Sequence, residues 1–185
     1  MHVTKKQIMS NLRLKADVVL QDCKHSIWEY DLQLQSEELR IKWLCIITLL
    51  RAVGHVLLNV DSKNGDNKLK VIIDRRFDEI NRHKDKFPIF WKFIKEERDR
   101  FLKDYEHGII RIIRPKQEKR NKGFSISSDV AKSRGGKVLQ KDSDEIVSYL
   151  SSGPYKGRYE KDVAQEAYKW WKTIIAEIKN EYKNN

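Results

Sequence analysis

The chain has 185 residues, of which 39% are hydrophobic and 10% aromatic. That length and composition support a single domain with a hydrophobic core, and they exclude a chain too polar to fold. Lys and Arg outnumber Asp and Glu by 38 to 27, which gives a net charge of +11. Such a charge attracts polyanions, nucleic acid first and anionic membrane surfaces second, although solubility alone would also explain it.

The two cysteines, Cys23 and Cys45, both fall within apolar helical patterns. We therefore expect two free, buried thiols in a reducing cytoplasm rather than a disulfide. No continuous apolar segment follows the first few residues, so the sequence predicts no secretory signal. Residues 43–60 form the longest apolar stretch, but polar residues interrupt it, and we expect a core helix. These patterns predict a soluble, cytoplasmic protein without membrane insertion.

Hydrophobic residues at helical spacing mark a long amphipathic first helix over residues 8–30. A second helix covers about residues 37–60, with Ser36 as its N-cap. It is apolar on most sides and is therefore predicted to be the central helix. Residues 61–66 contain an Asn-Gly turn signal and are predicted to form a loop.

A third helix is predicted to begin with Asp66 or Asn67 as its cap. Pro88 suits the start of a fourth helix, because its missing N–H is not needed there, and Gly108 suits the end. The last amphipathic helix covers about residues 160–182. The sequence therefore predicts an all-α protein, an up-and-down bundle of about five helices in one domain.

Residues 109–158 are predicted to form a basic, flexible insertion between the fourth and fifth helices. It starts with an apolar run, residues 109–113, which fits a strand of a short hairpin or an extended packing segment. Eight positive and two negative residues give residues 114–137 a net charge of +6, and glycines and serines there favour a flexible arm. The positive side chains are candidate contacts for nucleic-acid phosphates: Arg114, Lys116, Lys119, Arg120, Lys122, Lys132, Arg134 and Lys137.

The predicted fourth helix has a row of charged residues beside its apolar stripe. At steps of three, four and three come Glu97, Arg100, Asp104 and His107, and this spacing places them on one helical face. An imidazole and a guanidinium that face one phosphodiester suffice to cleave RNA without a metal. We interpret His107 as a candidate general acid or base and Arg100 as the phosphate-stabilising group, with the two carboxylates orienting them. A solvated face with ordinary ion pairs is the alternative.

A second candidate site lies in the central helix, where a polar seam crosses an otherwise apolar element. Its members follow at steps of three, four and four: Thr48, Arg51, His55 and Asn59. A structural seam satisfied by neighbouring residues is one explanation. The other is functional, because a seam that faced the charged row of the fourth helix would form one cleft with it.

Arg51 and Arg98 both need partners if they are buried. We expect Arg51 to meet an opening to water or one of the carboxylates of Glu37, Asp74 and Asp78. Arg98 falls within the apolar stripe of the fourth helix. We interpret it as a semi-buried structural residue and as the nearest rival of Arg100. Its expected partners are carboxylates of the first helix and its end: Asp17, Glu29 and Asp31.

No zinc-ligand spacing, phosphate-binding glycine loop or Gly-x-Ser-x-Gly motif is present in the sequence, so we expect no metal and no cofactor. Several helices, with Arg100 and His107 separated by six residues on a late helix, resemble the HEPN superfamily. The His-Gly ending is also similar to the motif helix of that family, whereas Phe101 replaces the small polar residue usual after the arginine. The resemblance covers at most residues 1–110 and 160–183.

The resemblance to the HEPN superfamily implies a metal-independent endoribonuclease. Proteins of this kind act on RNA as toxins or in phage defence. They form homodimers in which two copies of the motif line one cleft, and those of toxin–antitoxin systems have a cognate antitoxin protein.

Two other functions fit the same sequence. A non-catalytic nucleic-acid-binding module would use the basic arm together with exposed aromatic residues that stack on bases: Phe124, Tyr155 and Tyr159. A protein-interaction or regulatory subunit would instead dock another helix on Trp170 and Trp171, or on the apolar stripe of the fourth helix.

Overall fold

The computed structural model describes residues 12–33, 35–115 and 144–184, with the backbone alone at 114–115 and 144–145. This part of the chain forms an all-α bundle of five main helices with one two-stranded sheet, which confirms the predicted fold class. In chain order the elements are α1 (Lys15–Trp28), α2 (Ser36–Asn64), α3 (Asn67–Arg82), α4 (π-helical over Ile89–Lys95, α-helical over Glu96–Asp104), β1 (Ile109–Pro115), β2 (Asp144–Leu150) and α5 (Glu160–Asn184).

Helix α2 lies at the centre of the bundle, as predicted, because its side chains are buried against several other elements. Trp43, Leu50 and Val53 are each at most 1% exposed. The Trp43 ring lies 5.8 Å from that of Tyr30, just beyond α1, and 6.1 Å from that of Phe93 in α4. By length and composition alone, α2 is also the one described helix that could cross a membrane, so the absence of membrane insertion stays a prediction.

Helix α5 packs against α2 where α2 has a glycine. Trp171 is fully buried, and its Nε1 donates a hydrogen bond to the carbonyl oxygen of Leu50 at 2.8 Å. A Cβ atom at Gly54 would lie 2.7 Å from the Cη2 atom of this indole, closer than packed carbon atoms approach. The missing side chain of Gly54 therefore leaves the space that the indole fills.

Helix α2 extends farther than the sequence predicted, because residues 61–64 are helical rather than part of a loop. The carboxylate of Asp61 is 7% exposed and accepts hydrogen bonds from the backbone N–H groups of Lys15 (2.7 Å) and Ala16 (2.9 Å). These N–H groups begin α1 and have no partner within their own helix. A carboxylate in this position typically stabilises a helix by about 0.5–2 kcal/mol, so packing on α1 favours the extension of α2.

Helix α1 begins at Lys15, seven residues later than predicted, and residues 12–14 are not helical, whereas the start of α3 agrees with the sequence. Asp66 caps α3 as predicted, and its Oδ1 accepts a hydrogen bond from the Leu69 N–H at 2.8 Å. Gln35, rather than Ser36, is the N-cap of α2. The part of the predicted first helix before residue 12 lies outside the described residues.

The expectation of two buried thiols is wrong for one cysteine. Cys23 is fully buried, but Cys45 is exposed, with its Sγ 3.7 Å from the Ser26 hydroxyl. Burial, and to a smaller extent the proximity of Cys45, raises the pKa of the Cys23 thiol to about 12. Since the thiolate is the reactive form, Cys23 is protected both by its packing and by its protonation.

We expect an aromatic disulfide reagent at pH 8 to modify one thiol of the folded protein quickly and the second only after unfolding. The fast thiol should be Cys45, because only its sulfur is accessible. Absorbance of the released thiolate measures both phases. A Cys45→Ser variant should lose the fast phase, and two thiols reacting at one rate in the native protein would contradict the burial of Cys23.

Strands β1 and β2 pair antiparallel, so both ends of the predicted flexible insertion are ordered as a hairpin. Ile109 pairs with Leu150 next to the bundle, and Pro115 pairs with Asp144 at the other end. The apolar run over 109–113 is therefore a strand, one of the two predicted alternatives. Residues 116–143, which include all of the predicted arm except its first two residues, lie outside the described residues.

A buried carboxylate joins the hairpin to the bundle. Glu160, the first residue of α5, is fully buried, and its Oε1 accepts hydrogen bonds from the Tyr30 hydroxyl (2.9 Å) and from the Ser148 hydroxyl of β2. Burial, followed by the nearby carboxylate, raises the pKa of Tyr30 far above its ordinary value. The phenol therefore stays protonated and donating, and it links the end of α1, β2 and the start of α5.

Candidate functional site

The charged row predicted on the fourth helix does not form one helical face. Helix α4 ends at Asp104, and Tyr105 adopts the left-handed conformation (φ 55°) that commonly terminates a helix. His107 therefore lies beyond the helix, where its side chain is exposed. The prediction that Gly108 ends the helix is wrong by four residues, because the chain already leaves the helical path at Tyr105.

Two other members of this row, Glu97 and Arg100, pair with each other. Glu97 is only 6% exposed, and its Oε1 accepts a hydrogen bond from Nη1 of Arg100 at 2.7 Å. Gly108 is buried against this pair, since a Cβ atom there would lie 2.3 Å from Arg100 Nη1. Asp104 is exposed, in contrast to Glu97. Arg100 thus neutralises a buried carboxylate and supports the turn that leads into β1.

Arg98 does not occupy the apolar stripe, because a neighbouring residue takes that position. The buried face of α4 passes through Phe90, Ile94, Glu97 and Phe101, at steps of four, three and four. Arg98 is one residue past Glu97 and is therefore rotated by about 100° away from the core. Its Nη1 lies 2.9 Å from Oδ1 of Asp99, so the prediction of a partner at or near α1 is wrong for all three residues proposed: Asp17, Glu29 and Asp31.

The rotation brings Arg98 to the polar seam of α2. Thr48, Arg51, Ala52 and His55 from α2 and Arg98 from α4 line an open pocket of about 320 Å³. The expected convergence of α2 and α4 is therefore present, but Arg98 faces the seam in place of Arg100. All three secondary candidates, Arg51, His55 and Arg98, belong to this pocket.

Arg51 is half-buried, and its guanidinium lies 5.3 Å from the centre of the Phe90 ring. Burial, followed by the positive charge of Arg98, lowers the pKa of Arg51, and the carboxylate of Asp99 opposes this shift. The expected opening to water is present. None of the three expected carboxylates pairs with Arg51 in the described part of the chain: Asp74 is bound by Ser62 and Lys70, Asp78 by Arg82, and Glu37 forms no ion pair there.

His55 is exposed at the edge of the pocket and is oriented by the next turn of α2. The amide Nδ2 of Asn59 lies 3.3 Å from Nδ1 of the imidazole and 3.2 Å from the carbonyl oxygen of His55. Within the described residues, Nε2 has no hydrogen-bond partner. Because the amide N–H of Asn59 donates, Nδ1 is the acceptor in this contact and Nε2 carries the hydrogen of the neutral imidazole.

The charges around the pocket do not cancel. Asp99 binds both Lys95 Nζ (2.7 Å) and Arg98, and these two cations lower the pKa of its carboxyl group, the contact with Lys95 most. With Arg51, three cations stand against one carboxylate, a balance of +2 before any charge on His55. An open pocket with excess guanidinium charge favours an anion with several oxygens, such as a phosphodiester.

The aromatic and basic residues that were predicted to contact nucleic acid or another protein lie partly inside the fold and partly outside the described residues. Tyr155 is 8% exposed and packs on Phe93, so it is not a free stacking surface, and Tyr159 is half-buried. Trp171 is buried in the core and cannot dock another helix, whereas Trp170 packs against Phe90 and keeps part of its surface accessible. Arg114 lies in β1, whereas Phe124 and the remaining arm residues lie outside the described residues: Lys116, Lys119, Arg120, Lys122, Lys132, Arg134 and Lys137.

Comparison with known proteins gives no match, since no family model, curated protein or solved structure is similar enough to be counted. The pocket is therefore interpreted from its own geometry. In the ranges that the structure covers, no group of three His, Cys, Asp or Glu side chains is arranged to hold a metal ion.

Sequence reasoning did not identify Lys95 and Asp99 as part of this site. Their i,i+4 spacing is the signal that could have found them, because it is typical of an ion pair on one helical face. In the structure this pair lies directly beside Arg98.

Proposed function

We propose that the protein is a metal-independent endoribonuclease of the HEPN-like type, a toxin or defence protein that cuts RNA in the cytoplasm. The observation that supports this most is the presence of one imidazole, His55, and two guanidiniums, Arg51 and Arg98, around one open pocket. Cleavage of a phosphodiester requires charge stabilisation and proton transfer, and these three side chains can supply both.

The proposed reaction is an attack of the ribose 2′-oxygen on the adjacent phosphorus. The 2′-hydroxyl replaces the Asn59 amide at Nδ1 of His55 and gives its proton to that nitrogen. The bond from phosphorus to the 5′-oxygen breaks, and that oxygen takes a proton from water. The products are a 2′,3′-cyclic phosphate and a 5′-hydroxyl end. Arg51 and Arg98 bind the non-bridging oxygens and stabilise the additional negative charge of the phosphorane.

The net charge of +11 supports RNA as the substrate, because a polyanion gains affinity by releasing its counterions. The basic arm between β1 and β2 would add phosphate contacts outside the pocket. Because these contacts are electrostatic, cleavage should weaken as the salt concentration rises.

A homodimer would bring a second imidazole to the cleft, and a cognate antitoxin would block that cleft.

The test is cleavage of an end-labelled RNA by the purified protein in the presence of EDTA. We expect fragments with 2′,3′-cyclic phosphate ends, and no cut where the RNA has a single 2′-deoxynucleotide. Arg98→Ala should slow cleavage about a hundredfold, because it removes a group that stabilises the transition state. Arg82→Ala, which alters an exposed arginine far from the pocket in sequence, is the matched control.

Three outcomes would contradict the proposal. The first is an RNA that stays intact with the parent protein, the second is cleavage that requires a divalent metal, and the third is cleavage that persists at the 2′-deoxy position. Equal rates for Arg98→Ala and the parent would reject the pocket as the site of the reaction.

A non-catalytic nucleic-acid-binding module is the second candidate. It is favoured by one observation, that the pocket lining contains a single group able to transfer protons at neutral pH, His55. In that case the protein would retain RNA without cutting it, and Arg51→Ala and Arg98→Ala would lower the affinity and its salt dependence together.

A further inference from the structure

A second groove lies between α1 and α5, which run antiparallel. Asp17 pairs with Lys179 Nζ at 2.6 Å near one end of the two helices, and Lys161 Nζ donates to the carbonyl oxygen of Tyr30 near the other. At this second end the groove has a volume of about 330 Å³. Its lining includes Lys24 and Trp28 from α1, and Lys161, Gln165, Tyr168 and Lys169 from α5.

Trp28 is the most exposed of the large hydrophobic residues described, at 76%. Tryptophan is normally highly buried on average, and its indole is too apolar to be left in water without cost. The ring stacks on the His25 imidazole, with centroids 6.2 Å apart and planes 24° apart. A flat aromatic surface held this way at the edge of a groove suits a planar ligand.

The charged residues in the groove lining are all lysines. Neither Lys24 nor Lys169 has an ion-pair partner among the described side chains, and no carboxylate lines the groove. Glu29, next to Trp28, is already bound by Lys42 and His25. Two unpaired ammonium groups that line one groove with an aromatic ring complement a ligand with both phosphates and planar rings.

We infer that this groove binds single-stranded RNA, with one base stacked on Trp28 and the flanking phosphates on Lys24 and Lys169. The Gln165 amide has both a donor and an acceptor for the edge of that base. A duplex keeps its bases stacked inside, so a single strand is the form that can use the indole. The inference rests on the proposed function and names its substrate class, unpaired RNA.

The test is fluorescence anisotropy with a labelled twelve-nucleotide oligouridine, in a His55→Ala background that keeps the RNA intact. Trp28→Ala should weaken binding about tenfold, because loss of an aromatic side chain that stacks on a base typically weakens binding by about 5- to 150-fold. Trp28→Phe keeps an aromatic ring and should bind within about threefold of the parent. Lys24→Gln with Lys169→Gln should lower the salt dependence by one to two phosphate contacts.

An RNA duplex of the same length and a polyglutamate peptide are the comparison probes. An affinity for oligouridine within twofold of the parent in Trp28→Ala would overturn the inference. So would an effect of Trp28→Ala on polyglutamate alone, because that result assigns the groove to an acidic protein.

The binding test of this groove and the cleavage test of the proposed nuclease can fail independently. A protein that cuts RNA through His55 but binds oligouridine independently of Trp28 keeps the nuclease and loses this groove. Loss of affinity in Trp28→Ala, with no cleavage by the parent, keeps the groove and removes the enzyme.

Discussion

Replacing His55 with alanine is expected to slow RNA cleavage by about a hundredfold to ten-thousandfold, the usual contribution of a positioned general acid or base. The side chain is exposed, and its described contacts are to Asn59, so the variant should fold normally. The measurement is the rate at which parent and variant cut the same end-labelled RNA at one pH.

Two other histidines serve as comparisons in the same experiment. His83 is exposed at the end of α3, away from either candidate site in sequence, and His83→Ala should cut RNA at the parent rate. His107→Ala tests the site that the sequence first suggested. Loss of activity in His107→Ala but not in His55→Ala would reassign the catalytic histidine, and full activity in both would show that neither histidine catalyses the cleavage.

Replacing Trp171 with alanine is expected to lower the free energy of unfolding by about 3–5 kcal/mol, the usual cost of deleting a buried aromatic side chain. The indole is fully buried, contacts Phe77 and Phe90, and donates to the carbonyl oxygen of Leu50. Urea unfolding followed by circular dichroism measures the change. Trp28→Ala is the matched control, since its indole is exposed, and it should change stability by less than about 0.5 kcal/mol.

Gly54 gives this prediction a second, independent test. In the parent, Gly54→Ala should destabilise the fold by about 1–3 kcal/mol, because the added methyl group meets the indole of Trp171. In the Trp171→Ala background the same substitution should stabilise it, since alanine favours a helix by about 1 kcal/mol over glycine. A stabilising Gly54→Ala in the parent would contradict the close packing of α2 and α5.

The sequence predicted the helices well because each has its own apolar periodicity. The loop predicted at 61–66 was wrong for a long-range reason, since Asp61 binds the start of α1, and local patterns do not report a partner 45 residues away. The exposure of Cys45 was missed for a similar reason. Its helix is apolar on most sides, and only the packing of the bundle determines which side stays in water.

The candidate site was predicted in part. The seam of Thr48, Arg51 and His55 follows directly from spacing within one helix, and it does line a pocket. Its partner on α4 was misassigned, because the sequence cannot tell which of two adjacent polar residues turns to the core. Glu97 does so because Arg100 neutralises it, which leaves Arg98 facing the seam.

The antiparallel pairing of Pro115 with Asp144 fixes where the basic arm starts and ends. Both ends of the arm leave the fold side by side, from a ribbon of seven residues per strand, or about 23 Å at the usual rise per residue. Because residues 115 and 144 stay paired, an insertion, deletion or replacement between them need not displace any of the five helices.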